Sequence, residues 1–190
     1  MALLSEKHRR EYFKALGLGE YNKDNIKALQ KKYMKRKSDY DGIYGQNTDN
    51  LLRTLWNCSK TKNFKAQEFI CDCGGKYCCG YPTYMRDFQL QHLQTIRNHY
   101  GKPMTITSGM RCRTRNKRVG GITGSLHLYG QATDFYMKGV TDSLSNRRKA
   151  IKYIKTLKRH NYTYGNGCSS VKNRNPRASY MGTALHTDTR

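Results

Sequence analysis

Residues 125–135 read Ser125-Leu126-His127-Leu128-Tyr129-Gly130-Gln131-Ala132-Thr133-Asp134-Phe135. The later half alternates as a strand does, and the earlier half places a histidine seven residues ahead of an aspartate. A straight strand cannot present both groups to one point. A bend at Tyr129-Gly130 can, and glycine is the residue that permits it. Far downstream, His186 and Asp188 stand two apart and therefore share a face if they lie on a strand. Two histidines and one carboxylate, here His127, Asp134 and His186, are a recurrent catalytic zinc set that leaves a fourth position for water. By spacing alone the alternative stays open that His127 is a turn residue and Asp134 a strand-end cap.

Working outward, Met104 to Thr107 predicts a short strand, and Ser108-Gly109-Met110-Arg111-Cys112 turns out of it into a basic, Gly-rich loop from Arg113 to Gly124. A helix from about Thr83 to Tyr100 presents Met85, Phe88, Leu90, Leu93, Ile96 and Tyr100, and Gly101 stops it. Another runs from Ser143 or Ser145 to about His160, and Ala178 to Asp188 is strand-like. This order predicts an α+β fold, an antiparallel sheet with flanking helices that hold the zinc site. Residues 1–58 predict a small three-helix domain ahead of a larger one at 59–190. Ser5 caps its first helix, Asn22 or Asp24 its second, and Thr48 its third. Between the last two lies the turn Asp41-Gly42-Ile43-Tyr44-Gly45, whose glycines are expected at φ > 0. Cys58 to Asn63 is expected to be a linker.

The run Ser125-x-His127-x-x-Gly130-x-Ala132-x-Asp134, with Ser108-Gly109-x-Arg111 before it and His186-x-Asp188 after it, resembles the zinc D-Ala-D-Ala carboxypeptidase family. That family includes phage endolysins that cut the peptide of peptidoglycan and shares its fold with the amino-terminal domain of Hedgehog proteins. The likeness spans roughly Asn63 to Arg190. It implies Zn2+ bound by His127, Asp134 and His186, and it implies that Arg111 holds the scissile carbonyl oxygen or a peptide carboxylate, for which a planar five-donor fork is suited. Ser125, two residues before His127, is a candidate substrate contact or a residue that hydrogen-bonds the turn. Many relatives place a carboxylate three residues before the last histidine ligand, where this chain has Thr183. Asp188 is the nearest alternative general base, its rival role being to orient His186. In the first 58 residues, Ile26-x-x-Leu29-Gln30 followed by Asp41-Gly42-Ile43-Tyr44-Gly45-x-x-Thr48 resembles the three-helix peptidoglycan-binding domain found beside many wall hydrolases.

The chain carries 36 Lys and Arg against 13 Asp and Glu, a formal charge of +23. Such a charge asks for a polyanion. A nucleic-acid-binding reading lacks a recognition helix or zinc-finger spacing, so bacterial peptidoglycan and its anionic wall polymers are the expected partners. No window approaches the ~20 apolar residues of a membrane span. Residues 1–10 turn charged after four positions, so no export signal is expected. These features suggest a monomeric lysin made in the host bacterial cytoplasm and acting at the wall, or a wall-binding protein that keeps the fold without hydrolysis. Of seven cysteines, Cys71, Cys73, Cys78 and Cys79 cluster around Gly74-Gly75 without the C-x-x-C spacing of a zinc knuckle. A structural zinc site is one reading. The resemblance favours a loop-stabilising role, and Cys112 and Cys168 are expected to be buried small residues.

Overall fold

The computed structural model describes residues 2–168 and 178–190. The Ser5 hydroxyl accepts the His8 amide at the start of α1 (Glu6–Ala15), and the Asn22 side chain accepts the Asn25 amide at the start of α2 (Lys23–Tyr33). Helix α3 (Gln46–Ser59) begins at Gly45, earlier than Thr48 suggests, and extends into the expected linker. The reason is Gln30, only 2% exposed. Its amide nitrogen donates to Asp41 Oδ1 (2.8 Å), the Ile43 carbonyl (3.0 Å) and Thr48 Oγ1 (3.1 Å). Its amide oxygen takes the Gly42 N–H at 2.8 Å. Thr48 is thereby spent on the turn and not on a cap. Gly42 has φ +74°, whereas Gly45 is extended at −103° and any residue could adopt its backbone.

The polar side chains of α3 grip the following segment. Asn50 Nδ2 donates to the Tyr81 carbonyl (3.2 Å), Asn57 Nδ2 to the Met85 carbonyl (2.9 Å), and Thr54 Oγ1 accepts the Met85 N–H (3.2 Å). The Lys35 amide donates to the Cys79 carbonyl at 2.9 Å. One apolar cluster runs across the position 58/59, from Phe13, Leu29 and Leu51 to Phe69, Leu90 and Phe135. Since Met85 and Arg86 give their N–H groups to Thr54 and to the Gly130 carbonyl, helix α4 (Asp87–Tyr100) starts later than its apolar periodicity predicts. It ends at Gly101 in the left-handed region.

The remaining elements are β1 (Thr105–Ser108), α5 (Arg113–Arg118), β2 (Ala132–Tyr136), α6 (Leu144–Ile154), β3 (His160–Gly165) and β4 (Leu185–Thr189). They form the predicted α+β arrangement, an antiparallel sheet of order β1-β2-β4-β3. Helix α5 occupies the start of the expected basic loop, because the Cys112 sulfur accepts the Arg115 amide. Helix α6 stops at Ile154, short of the expected His160. Arg159, at φ 61°, then turns the chain into β3. On one sheet face Thr133, Thr163 and Thr187 meet Gln89 and His92 of α4: His92 Nε2 lies 2.9 Å from Thr187 Oγ1, and Gln89 Nε2 donates to Thr133 Oγ1 at 3.3 Å. That buried network fixes the strand register, since a one-residue slip would turn it outward. Among the described residues no helix is long and apolar enough to cross a membrane.

Candidate metal centre

The opposite face is organised by register. Ser108 pairs with Asp134, Asp134 with His186, and His186 with Tyr164, so one row of four residues crosses β1, β2, β4 and β3. His127 reaches this row from a 3-10 turn, Leu126–Tyr129, that closes at Gly130 with φ 67°. Gly130 is obligatory there on two counts. Its backbone is left-handed, and a Cβ would run into the Tyr84 carbonyl oxygen. The bend read from the sequence is this turn, and it brings His127 Nε2 to 3.3 Å from Asp134 Oδ1 and 3.3 Å from His186 Nδ1. His186 Nδ1 is 2.8 Å from the same Asp134 oxygen.

Both imidazoles are held by their outer nitrogens. His127 Nδ1 lies 2.7 Å from the Gly109 carbonyl and His186 Nε2 3.0 Å from Asp188 Oδ2. Those acceptors assign a proton to each outer nitrogen, which leaves His127 Nε2, His186 Nδ1 and Asp134 Oδ1 facing one another as three acceptors. All three lie within 4.8 Å of one another, and His127 is only 2% exposed. A buried convergence of acceptors calls for a cation. A proton on His186 is one solution. Burial pulls that imidazole down, yet its hydrogen bonds to Asp134 and Asp188 prevail and hold it up at about 9. Burial pulls His127 down with less compensation from Asp134. Desolvation works against the Asp134 carboxylate, but His127 and His186 outweigh it and hold it well below the usual carboxylate range. A borderline-soft divalent metal is the other solution, and a His2Asp donor set has the chemistry that zinc accepts.

Arg111 lies on the turn after β1. Its Nε donates to Ser108 Oγ at 2.8 Å and a terminal nitrogen donates to Asp134 Oδ2, the oxygen turned away from the histidines. Its backbone N–H donates to the His127 carbonyl at 3.1 Å. Asp188 has both oxygens engaged, Oδ2 by His186 and Oδ1 by Asn161 Nδ2 at 2.6 Å. It therefore stands across the imidazole from the acceptor cluster. Ser125 is buried at the head of the 3-10 turn, and its hydroxyl makes no capping bond. Thr183 is exposed ahead of β4. Tyr162 to Gly165 belongs to strand β3, and 169–177 lies outside the described residues.

Three partners escaped sequence reading. The Gly109 carbonyl has no side-chain signature. Ser108 was visible in Ser108-Gly109-x-Arg111 but without a role. Tyr164 stacks on His186, with centroids 4.7 Å apart and planes at 25°. The Tyr162-Thr163-Tyr164 alternation was the available strand signal for it.

Comparison with known proteins bears on this geometry. The family described as Peptidase M15 matches residues 62–168, which takes in Arg111, His127 and Asp134 and stops short of His186. The chain is similar to the zinc D-Ala-D-Ala carboxypeptidase of Streptomyces albus G, at 33% identity over 100 residues, or 50% of this chain. It spans 39% of the length of that relative.

Proposed function

This chain belongs to the Peptidase M15 family, and on that premise we propose that it is a zinc-dependent peptidase cutting the stem peptide of bacterial peptidoglycan, as a D,D-carboxypeptidase or an endopeptidase. The observation that carries the reading is the buried convergence of His127 Nε2, Asp134 Oδ1 and His186 Nδ1 beside Arg111. A zinc ion held by those three residues supplies Lewis acidity toward the scissile carbonyl and brings the pKa of a water molecule to ~7.

The chain's own groups do the rest. The Gly109 carbonyl and Asp188 hold the two imidazoles in the tautomers that leave the facing nitrogens free. Ser108 aims Arg111, whose remaining donors are available to a carbonyl oxygen or a terminal carboxylate. Ser125, at the head of the turn that carries His127, is the further candidate contact to substrate. Because both its oxygens are taken, we read Asp188 as positioning His186 and not as the group that removes the proton from water.

The segment 1–58, with its turn built on Gln30 and Asp41, supports a wall-binding role and hence a lysin of phage type. The +23 charge supports attraction to anionic wall polymers. The test is digestion of purified peptidoglycan followed by mass spectrometry of the released muropeptides. Shortened or unlinked stem peptides are expected, lost on chelation, restored by zinc, and absent for His127→Ala. Zinc-loaded protein that binds walls but leaves every muropeptide intact across the pH range would overturn the enzymatic reading in favour of wall binding alone.

A further inference from the structure

A second convergence of soft ligands lies outside the centre just described. Cys71, Cys73 and Cys78 come from the loop before α4, and Cys112 from the residue that caps α5. Their four sulfurs lie within 4.8 Å of one another, Cys73 and Cys78 at 3.4 Å, and all four are free thiols. The loop doubles back between Cys73 and Cys78 because Gly74 and Gly75 adopt φ 63° and 87°. Cys79 is not part of the group. It packs into the main core, and the Tyr81 amide donates to its sulfur.

Three features separate this cluster from ordinary packing. The sulfurs form a patch apart from the main core, with the partly buried Tyr77 packed against it. Backbone N–H groups are aimed at three of them: Cys112 N–H at Cys71, Gly80 N–H at Cys78 and Arg115 N–H at Cys112, each at 3.4 Å. Amide donors of this kind favour the thiolate. Two basic side chains also lie on the residues that flank the cluster, Arg115 paired to Asp72 at 2.6 Å and Arg118 5.0 Å over the Tyr77 ring. A disulfide would need two sulfurs; here four converge. Zinc–sulfur bonds of about 2.3 Å in a tetrahedron place sulfurs roughly 3.8 Å apart, inside the spread seen here.

We propose that Cys71, Cys73, Cys78 and Cys112 bind a second, structural zinc ion as a closed tetrathiolate. Binding replaces the thiol protons, which pass to solvent, and no electrons change hands. With four protein ligands there is no open position, so the site holds structure and performs no hydrolysis. What it holds is specific. Cys112 directly follows Arg111, and the Met110 N–H donates to the Phe69 carbonyl at 2.9 Å, two residues before Cys71. The ion therefore ties the loop to the turn that presents Arg111 to the catalytic centre, and it draws Cys112 out of the role of a buried spacer.

The measurement is zinc content of the full chain, purified reduced, by inductively coupled plasma mass spectrometry. Two zinc ions per chain are expected in the wild type, one in His127→Ala/His186→Ala, and one in Cys73→Ser/Cys78→Ser. Cobalt substitution adds a signature independent of activity: the double-histidine variant should keep the intense sulfur-to-cobalt charge-transfer band in the near ultraviolet. The histidine variant keeps the test decisive even where the cysteine variant fails to fold. A wild-type chain with one zinc and a histidine variant with none, or an intact mass lowered by two hydrogens from a Cys73–Cys78 disulfide, would overturn the site. Absence of peptidoglycan turnover leaves these counts untouched, so the two readings fail separately.

Discussion

Each histidine of the centre has one nitrogen committed to an oxygen of the protein, and the identity of that oxygen sets how firmly the other is held. His127 leans on a backbone carbonyl that no substitution removes, whereas His186 leans on Asp188, which a single change neutralises. Asp188→Asn should therefore weaken zinc binding and lower turnover together, each by roughly 10- to 100-fold. Competitive chelator titration and steady-state kinetics measure the two. Zinc affinity at the wild-type level with turnover down by several orders of magnitude would restore Asp188 as the general base. At this scale the meeting of His127, Asp134 and His186 beside Arg111 was legible as a candidate site, because side chains able to carry chemistry leave a mark in sequence. Gly109 was not, because its carbonyl does the work and a carbonyl belongs to every residue. The choice between two roles for Asp188 needed the third dimension, since spacing puts it near His186 without saying which nitrogen it meets.

Among the elements, the 3-10 turn that carries His127 depends on one residue. Gly130 accepts the Arg86 N–H through its carbonyl at 2.9 Å, lies in the left-handed region, and leaves no room for a Cβ against Tyr84. Gly130→Ala combines a strained backbone with a clash against main chain. It should destabilise the fold by about 3 kcal/mol, lowering the melting temperature by roughly 10 °C; an unchanged transition in thermal denaturation would contradict that account. The glycine was legible as a bend, β1 as a short strand and β2 as an alternating run; the strand-like reading of Ala178 to Asp188 holds only from Leu185, since Ala178–Met181 is a 3-10 turn. Strand β3 was not legible. The apolar spacing of α6 continues to Leu157, and nothing in the sequence announces that Arg159 will take a left-handed conformation. Thr48 misled in the same way: a good cap residue, it is claimed by Gln30 through a contact spanning 18 residues.

On the scale of the whole molecule the excess of 23 positive charges is spread over a surface that acts at long range. On the proposed function it governs encounter with the wall and retention there. Raising the ionic strength from about 0.1 M to 1 M shortens the screening length from ~10 Å to ~3 Å. Retention on purified cell walls, measured by sedimentation, should then fall at least tenfold, while hydrolysis of a small neutral stem-peptide fragment changes by less than about twofold. Equal loss of both would place the charge in the chemistry. The α+β class with an antiparallel sheet was legible from the order of elements; the pairing of β2 with β4, which sets Asp134 beside His186, was not. The grip of α3 on the chain beyond it was not, because Asn50, Thr54 and Asn57 read as solvent-facing residues of a helix until their partners at Tyr81 and Met85 are seen.

That grip has a mechanical consequence. A hydrolase tethered to its anchor by a slack linker sweeps a volume and cuts whatever drifts within it. Here, on the proposed function, anchor and candidate centre are joined through the side chains of one helix, and such an enzyme would behave as a caliper. The offset between the point held and the bond broken is a dimension of the protein, and the lattice spacing of the wall, more than diffusion on a leash, decides which bonds come within its jaws.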